Sequence, residues 1–222
     1  MRIANRYRFI AALAILGLCG CDISIDGDDS NKINGSVHVP AGKPASDAHT
    51  VNGAIRVDDN ASINSAATVN GSIHLGDHAS ATSLKTVNGS IALGAGAHDS
   101  GVAGSVNGEL SLAEGAEVSG SLTNVNGKIM LNAAHVAGGI KTANGSISIM
   151  GASRVEGGIQ VIKPSGFSFD NEEPVIIIGP GATVQGELRF ERPVKLYVSD
   201  KAAIGTVTGA TPVMFTGDKP SI

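Results

Sequence analysis

Asn-Gly returns along this chain at a nearly fixed interval, and that interval limits the fold more than any other feature. It stands at Asn34-Gly35, Asn52-Gly53, Asn70-Gly71, Asn88-Gly89, Asn107-Gly108, Asn126-Gly127 and Asn144-Gly145, with successive intervals of 18, 18, 18, 19, 19 and 18 residues. A period so short and regular means stacked copies of one unit, each too small to bury its apolar face alone.

Within each unit the apolar residues are two apart. Ile55 and Val57, Ile73 and Leu75, Ile91 and Leu93, Leu110 and Leu112, Ile129 and Leu131, and Ile147 and Ile149 follow their Asn-Gly pairs. Alternation of period two marks a strand with one buried face, whereas a spacing of two cannot line one side of a helix. A second group follows about six residues on: Ala61 and Ile63, Ala79 and Ala81, Ala116 and Val118. A third comes about six further: Leu84 with Val87, Leu122 with Val125, Ile140 with Ala143. Three short strands per unit describe one triangular turn of an all-β, single-stranded parallel β-helix. Handedness stays open in these residues, with a right-handed coil preferred.

The chain has no Trp, and residues 33–142 contain no aromatic residue, which suits a tube too narrow for a ring in each layer. Asn-Gly fits a corner because both residues tolerate the left-handed backbone region. The pair also makes hairpin turns, but the 18-residue return and three-group pattern favour a coil. Stacking would then place Asn34, Asn52, Asn70, Asn88, Asn107, Asn126 and Asn144 above one another, about 4.8 Å apart, as an internal amide ladder. A polar binding stripe is the functional alternative. Thr50, Thr68, Thr86 and Thr142 would form a similar column.

After Val161 the pattern loosens. Phe167 and Phe169 fit the first-pair slots, followed by an insertion with Asp170, Asn171, Glu172, Glu173 and Pro174. Ile176 and Ile178 restart the repeat, and Leu196, Val198, Ala202, Ile204 and Val207 fit a last turn. Met214 and Phe215 are expected to fold across the open end, since a solenoid needs its last coil covered. Roughly nine coils result, a rod about 40 Å long at about 4.8 Å per coil. The expected division is a targeting segment over 1–21, an acidic tether over 22–32, the β-helix over 33–208 and a cap or tail over 209–222.

The first 21 residues carry Arg2, Arg6 and Arg8 before an apolar run from Phe9 to Leu18. That run is shorter than the roughly 20 residues of a transmembrane helix. It ends in Leu18-Cys19-Gly20-Cys21, which resembles the bacterial lipobox. The resemblance implies cleavage before Cys21, a lipidated Cys21 thiol and an acylated new amine. The alternative is an ordinary secretory signal. Two or three acyl chains hold a protein firmly at a bilayer. The resemblance therefore makes the membrane a partner and places the chain in the cell envelope of a Gram-negative-type bacterium, palmitate among its acyl groups. Asp22 resembles an inner-membrane retention signal, but the choice of membrane stays open. Processing would leave no thiol for disulfides. The chain is net −4, and loss of three arginines with no acid takes the processed form to −7. Such mild acidity argues against nucleic acid and against electrostatic attachment to anionic lipid.

The recurring VNGSI and VNGEL resemble a bacterial adhesin-type family of unknown function with repeated VNGxI turns. Coil length and buried pattern also look like bactofilins, polymer-forming β-helix proteins. Leu75-Gly76-Asp77-His78-Ala79, Leu93-Gly94-Ala95-Gly96-Ala97 and Ile178-Gly179-Pro180-Gly181-Ala182 resemble the hexapeptide repeats of left-handed β-helix acyltransferases, although only one hexad per coil fits.

The six histidines, His38, His49, His74, His78, His98 and His135, show no spacing that converges on zinc. Asp26, Asp28 and Asp29 lack the spacing of a calcium loop. No phosphate loop or GxSxG is present. The expectation is a non-enzymatic, lipid-anchored envelope scaffold or adhesin-like surface without cofactor, suited to an envelope protein or polysaccharide, with self-association open. The alternative is a hexapeptide-type acyltransferase or a carbohydrate-active β-helix enzyme.

Overall fold

A computed structural model describes residues 23–24, 30–164 and 172–221. The expected targeting segment with Cys21, and Phe167, Phe169, Asp170 and Asn171 of the insertion, lie outside the described residues.

The described chain is all-β and winds as a parallel β-solenoid of about 10 coils. Each coil has three faces. The first carries the short strands after Asn-Gly, such as Ile55–Val57 and Ile73–Leu75. They stack into an 11-stranded parallel sheet in which Ile55, Ile73, Ile91, Leu110, Ile129 and Ile147 share one register. Each is at most 1% exposed, so one strand's alternation places a full column in the core.

The second and third faces belong to a 16-stranded sheet. Three separate strands per coil appear only from the coil of Asp99 onward. Before it, Pro44–Asn52, Ser62–Asn70 and Ser80–Asn88 each run through both faces as one nine-residue strand. The cause is one residue. The inward residues flanking this corner are three apart in Ile63 and Ala66 or Ala81 and Leu84, and four apart in Asp99 and Ala103 or Val118 and Leu122. The extra residue breaks the strand and introduces Gly101, Gly120, Gly138, Gly157 and Gly186, whereas Gly205 stands at a corner whose flanking Ile204 and Val207 are again three apart.

Glycine at the corners serves layer spacing more than turn conformation. A Cβ on Gly71 would lie 1.9 Å from the Gly53 carbonyl oxygen, and one on Gly120 would lie 2.0 Å from that of Gly101. The Asn-Gly corner is therefore not left-handed as a rule: Gly53, Gly71, Gly89 and Gly108 have no positive φ, nor do their asparagines. Most left-handed positions occupy the corner between first and second faces, at Gly42, Asn60, His78, Gly96, Gly115, Ala133, Gly151 and Gly181, while Gly35, Gly127, Gly158 and Gly209 lie at other corners.

Four further expectations change. Val87 and Val125 point outward, 39% and 40% exposed, while Thr86 and Asn124 take the inward sites. The slots expected for Phe167 and Phe169 belong to Ile176 and Ile178, which pair directly with Ile147 and Ile149. Strands at Ile23–Ser24 and Ser30–Asn34, the first within the expected tether and the second starting in it, pair with Val37–Val39 and Pro44–Asn52. At the other end, Val213–Phe215 does not cross the tube. It pairs in parallel with Tyr197–Ser199 and begins another turn, leaving Met214 60% exposed.

Two substitutions separate spacing from conformation. Gly71→Ala is expected to cost about 3 kcal/mol, because the methyl group meets backbone that cannot yield. Ala133→Gly is expected to gain about 1 kcal/mol by relieving a left-handed alanine. Urea denaturation followed by circular dichroism measures both.

Candidate functional surface

The seven repeat asparagines end the third face, and their amides are hydrogen-bonded in series. Each Nδ2 donates to the Oδ1 one coil earlier: Asn52 to Asn34, Asn70 to Asn52, Asn88 to Asn70 and Asn107 to Asn88 at 2.9 Å, then Asn126 to Asn107 and Asn144 to Asn126 at 2.8 Å. Six of the seven are exposed and Asn144 is half-buried, so the ladder runs along the outside of the tube. Its one-way polarity leaves the Asn144 Oδ1 without a further amide. Arg192 fills that place: its Nη1 donates to Asn144 Oδ1 and, at 3.3 Å, to the Ala143 carbonyl, while Nη2 donates to the Glu172 carbonyl at 3.1 Å.

Beneath the ladder lies a buried polar column. The hydroxyls of Thr50, Thr68 and Thr86 donate to the carbonyls of Gly35, Gly53 and Gly71, and Ser105 and Asn124 donate likewise to Gly89 and Gly108. Thr142 breaks the series, since its hydroxyl accepts from the Gly145 amide at 2.9 Å. These groups close each coil by satisfying corner carbonyls that no strand reaches.

Outside this column, Val51, Val69, Val87, Val106 and Val125 form a stripe, each 38–40% exposed. Two residues earlier on the same face, pairing aligns His49, Ala67, Lys85, Gly104, Thr123, Lys141, Gln160, Arg189 and Thr208. None of these is acidic.

The histidines lie apart. His38 Nε2 is 2.7 Å from Asp58 Oδ2 on the first face, and Arg56 Nε is 2.8 Å from Asp58 Oδ1. The hydrogen bond from His38 holds the Asp58 carboxyl below its ordinary range, aided by Arg56 and opposed by partial burial. On the second face the Glu117 carboxylate lies between two rings, 3.6 Å from His98 Nδ1 and 3.5 Å from His135 Nδ1. His135 Nε2 in turn reaches Glu156 at 3.2 Å, and this bond, with Arg154, lowers the Glu156 pKa. Among the described residues no three metal-ligating side chains converge. The three hexad-like segments all fall at the single corner between first and second faces, where His78 adopts a left-handed φ of 56°.

Among the described residues one ionisable group is in the core. Asp99 is fully buried in a column between Ala81 and Val118. Its Oδ1 accepts from the Gly101 amide at 3.2 Å, and its Oδ2 has no hydrogen-bond partner. Burial pushes its carboxyl above the usual range, against the smaller effect of the Gly101 bond.

Compared with known proteins, the chain matches no protein-family model, no curated protein and no solved structure at a significant level. The likenesses to the adhesin-type family, to bactofilins and to hexapeptide acyltransferases thus rest on repeat style alone.

Loss of the ladder's terminal donor in Arg192→Ala is expected to lower stability by about 2 kcal/mol, read from the shift in melting temperature. For Asp99, a raised folded pKa means that stability is present at acid pH and is lost as pH rises through the carboxylate range. Asp99→Val should therefore melt higher than the parent at pH 7, and the advantage should shrink at pH 4.

Proposed function

We propose that this protein is a non-enzymatic, lipid-anchored protein of the bacterial envelope whose third face is a binding surface. The observation that carries the reading is the valine stripe. Five β-branched side chains face water in successive coils, about 4.8 Å apart, over roughly 20 Å. An apolar feature that is continuous and straight marks an interaction site more often than scattered exposed residues do. The flanking basic and neutral column gives that surface polar contacts of one charge sign. A rigid solenoid holds both columns in register along its length, which suits an extended partner.

The anchor rests on the lipobox likeness at Cys21, and the acyl chains would keep the rod at a membrane. The half-exposed histidine–carboxylate pairs lie on open sides of the rod, where water competes for every proton, which fits surface charge better than general acid–base catalysis.

Lipidation would leave an engineered cysteine as the single free thiol, which makes both halves measurable together. The full-length protein is expected in membranes, and Cys21→Ala in the soluble fraction. Val87→Cys should react with a maleimide in purified protein and be shielded in cells, while Glu114→Cys, exposed at another corner, reacts in both. Soluble protein with Cys21 intact sinks the anchor, and equal labelling of Val87→Cys in both settings sinks the binding surface.

A further inference from the structure

On the C-terminal half of the third face the side chains withdraw. Gly139, Gly157 and Gly158 leave a shallow trough of about 390 Å³. Ser121 and Thr123 form one wall and Glu187 and Arg189 the other, with Lys141 and Gln160 alongside the glycine floor. A side chain at Gly158 is excluded twice over, by a φ of +86° and by the Glu187 carbonyl, 2.3 Å from where its Cβ would lie. The trough is thus fixed by how the coils stack.

We infer that this trough binds an acidic polysaccharide, a glycan bearing carboxylates, through Lys141 with Thr123 and Gln160. The inference rests on the third-face reading above and names its ligand class.

Charge is the first argument. The chain is net −4, yet the outward column from His49 to Thr208 contains no acid. Lys85 and Lys141 in that column are exposed and make no ion pair among the described residues. Arg189 is partly engaged, 3.5 Å from Glu191, and Glu191 also accepts from Gln160 at 3.2 Å. The Glu187 carboxylate at the rim accepts from Thr208 at 2.8 Å. Lys141 is therefore the trough's available cation.

Spacing is the second. Thr123, Lys141, Gln160 and Arg189 follow one per coil, so donors recur about every 4.8 Å along the rod. A polymer that repeats hydroxyls and carboxylates along its axis meets such a row many times at small cost per contact. Hydroxyl and amide side chains both donate and accept, as sugar hydroxyls do. The glycine floor admits a flat ring.

Backbone pairing decides against an acidic peptide. Strands run across the rod, and those of Leu122–Asn126, Ile140–Thr142 and Ile159–Val161 are each paired with coils on both sides. The trough offers no free strand edge, so a peptide could not add a strand there.

The test uses the full-length protein in detergent and three probes: oligogalacturonate, its carboxyl-reduced form and polyglutamate. Titration calorimetry should show binding of oligogalacturonate, weakened at least tenfold by Lys141→Ala and by high salt. Lys128→Ala, on the first face, should bind as the parent does. Because Lys141 is exposed, its variant should keep the parent melting curve, and loss of binding then reports the site. Failure of the parent to bind oligogalacturonate overturns the inference, as does unchanged affinity in Lys141→Ala. Equal affinity for polyglutamate or for the carboxyl-reduced glycan overturns it also, by removing the glycan or its charge from recognition. Shielding of Val87→Cys in cells without glycan binding would leave the binding surface standing and remove only its ligand.

Discussion

Backbone must touch backbone at the corners of this rod, and most of the sequence follows from that contact. Coils stack at the spacing of strands in a sheet, and at two of the three corners the chain turns with no room for a Cβ between layers. At the Asn-Gly corner the layer below approaches to within about 2 Å of where the Gly71 methyl would be. At the corner of Gly101 the same crowding recurs, coil after coil. Glycine is required there by its neighbour in space, a demand that repeats from Gly53 to Gly145 at one corner and from Gly101 to Gly205 at the other. The apolar core and the outer ladder depend on these contacts, because both need the layers in register.

The interior is unusually uniform. Isoleucine or leucine fills most first-face sites, with valine at Val37, Val39, Val57 and Val198, and alanine or valine fills most second-face sites, so each layer packs on a near copy of itself. Asp99 is the exception. It stands in the first coil to carry the extra corner residue, and its carboxylate accepts the amide of Gly101, the first of the new glycine column. The acid that weakens the core therefore holds the bend where the coil changes shape. Its second oxygen is left unmatched.

Much of this was legible from spacing. Interval and alternation give the coil, the three groups and the identity of the first-face column. The outward turn of the valines was legible too, since strict alternation from Leu84 places Thr86 inward and Val87 outward. Hydrophobicity pulled the other way, and hydrophobicity was the wrong guide on a face whose inner column serves carbonyls. Local reading could not find the reason for glycine at Asn-Gly, because the clash is with a residue 18 positions away. Arg192 was equally hidden, 48 residues from the amide it completes. The third-face trough has no motif at all: it exists because side chains are missing from adjacent layers.

The amide ladder has a direction, and the direction sets what can vary in a rod of this kind. Every internal asparagine receives a hydrogen from one neighbour and gives one to the other, so the ladder treats every internal coil alike. The last amide oxygen is answered by Arg192, from a segment beyond the Asn-Gly repeats. Duplicating or deleting one whole 18-residue coil would leave that terminal arrangement intact and the remaining amides still matched. Length is then a property that gene duplication can adjust in single-coil steps, moving whatever the side of the rod holds nearer to or farther from its N-terminus without altering how it is held.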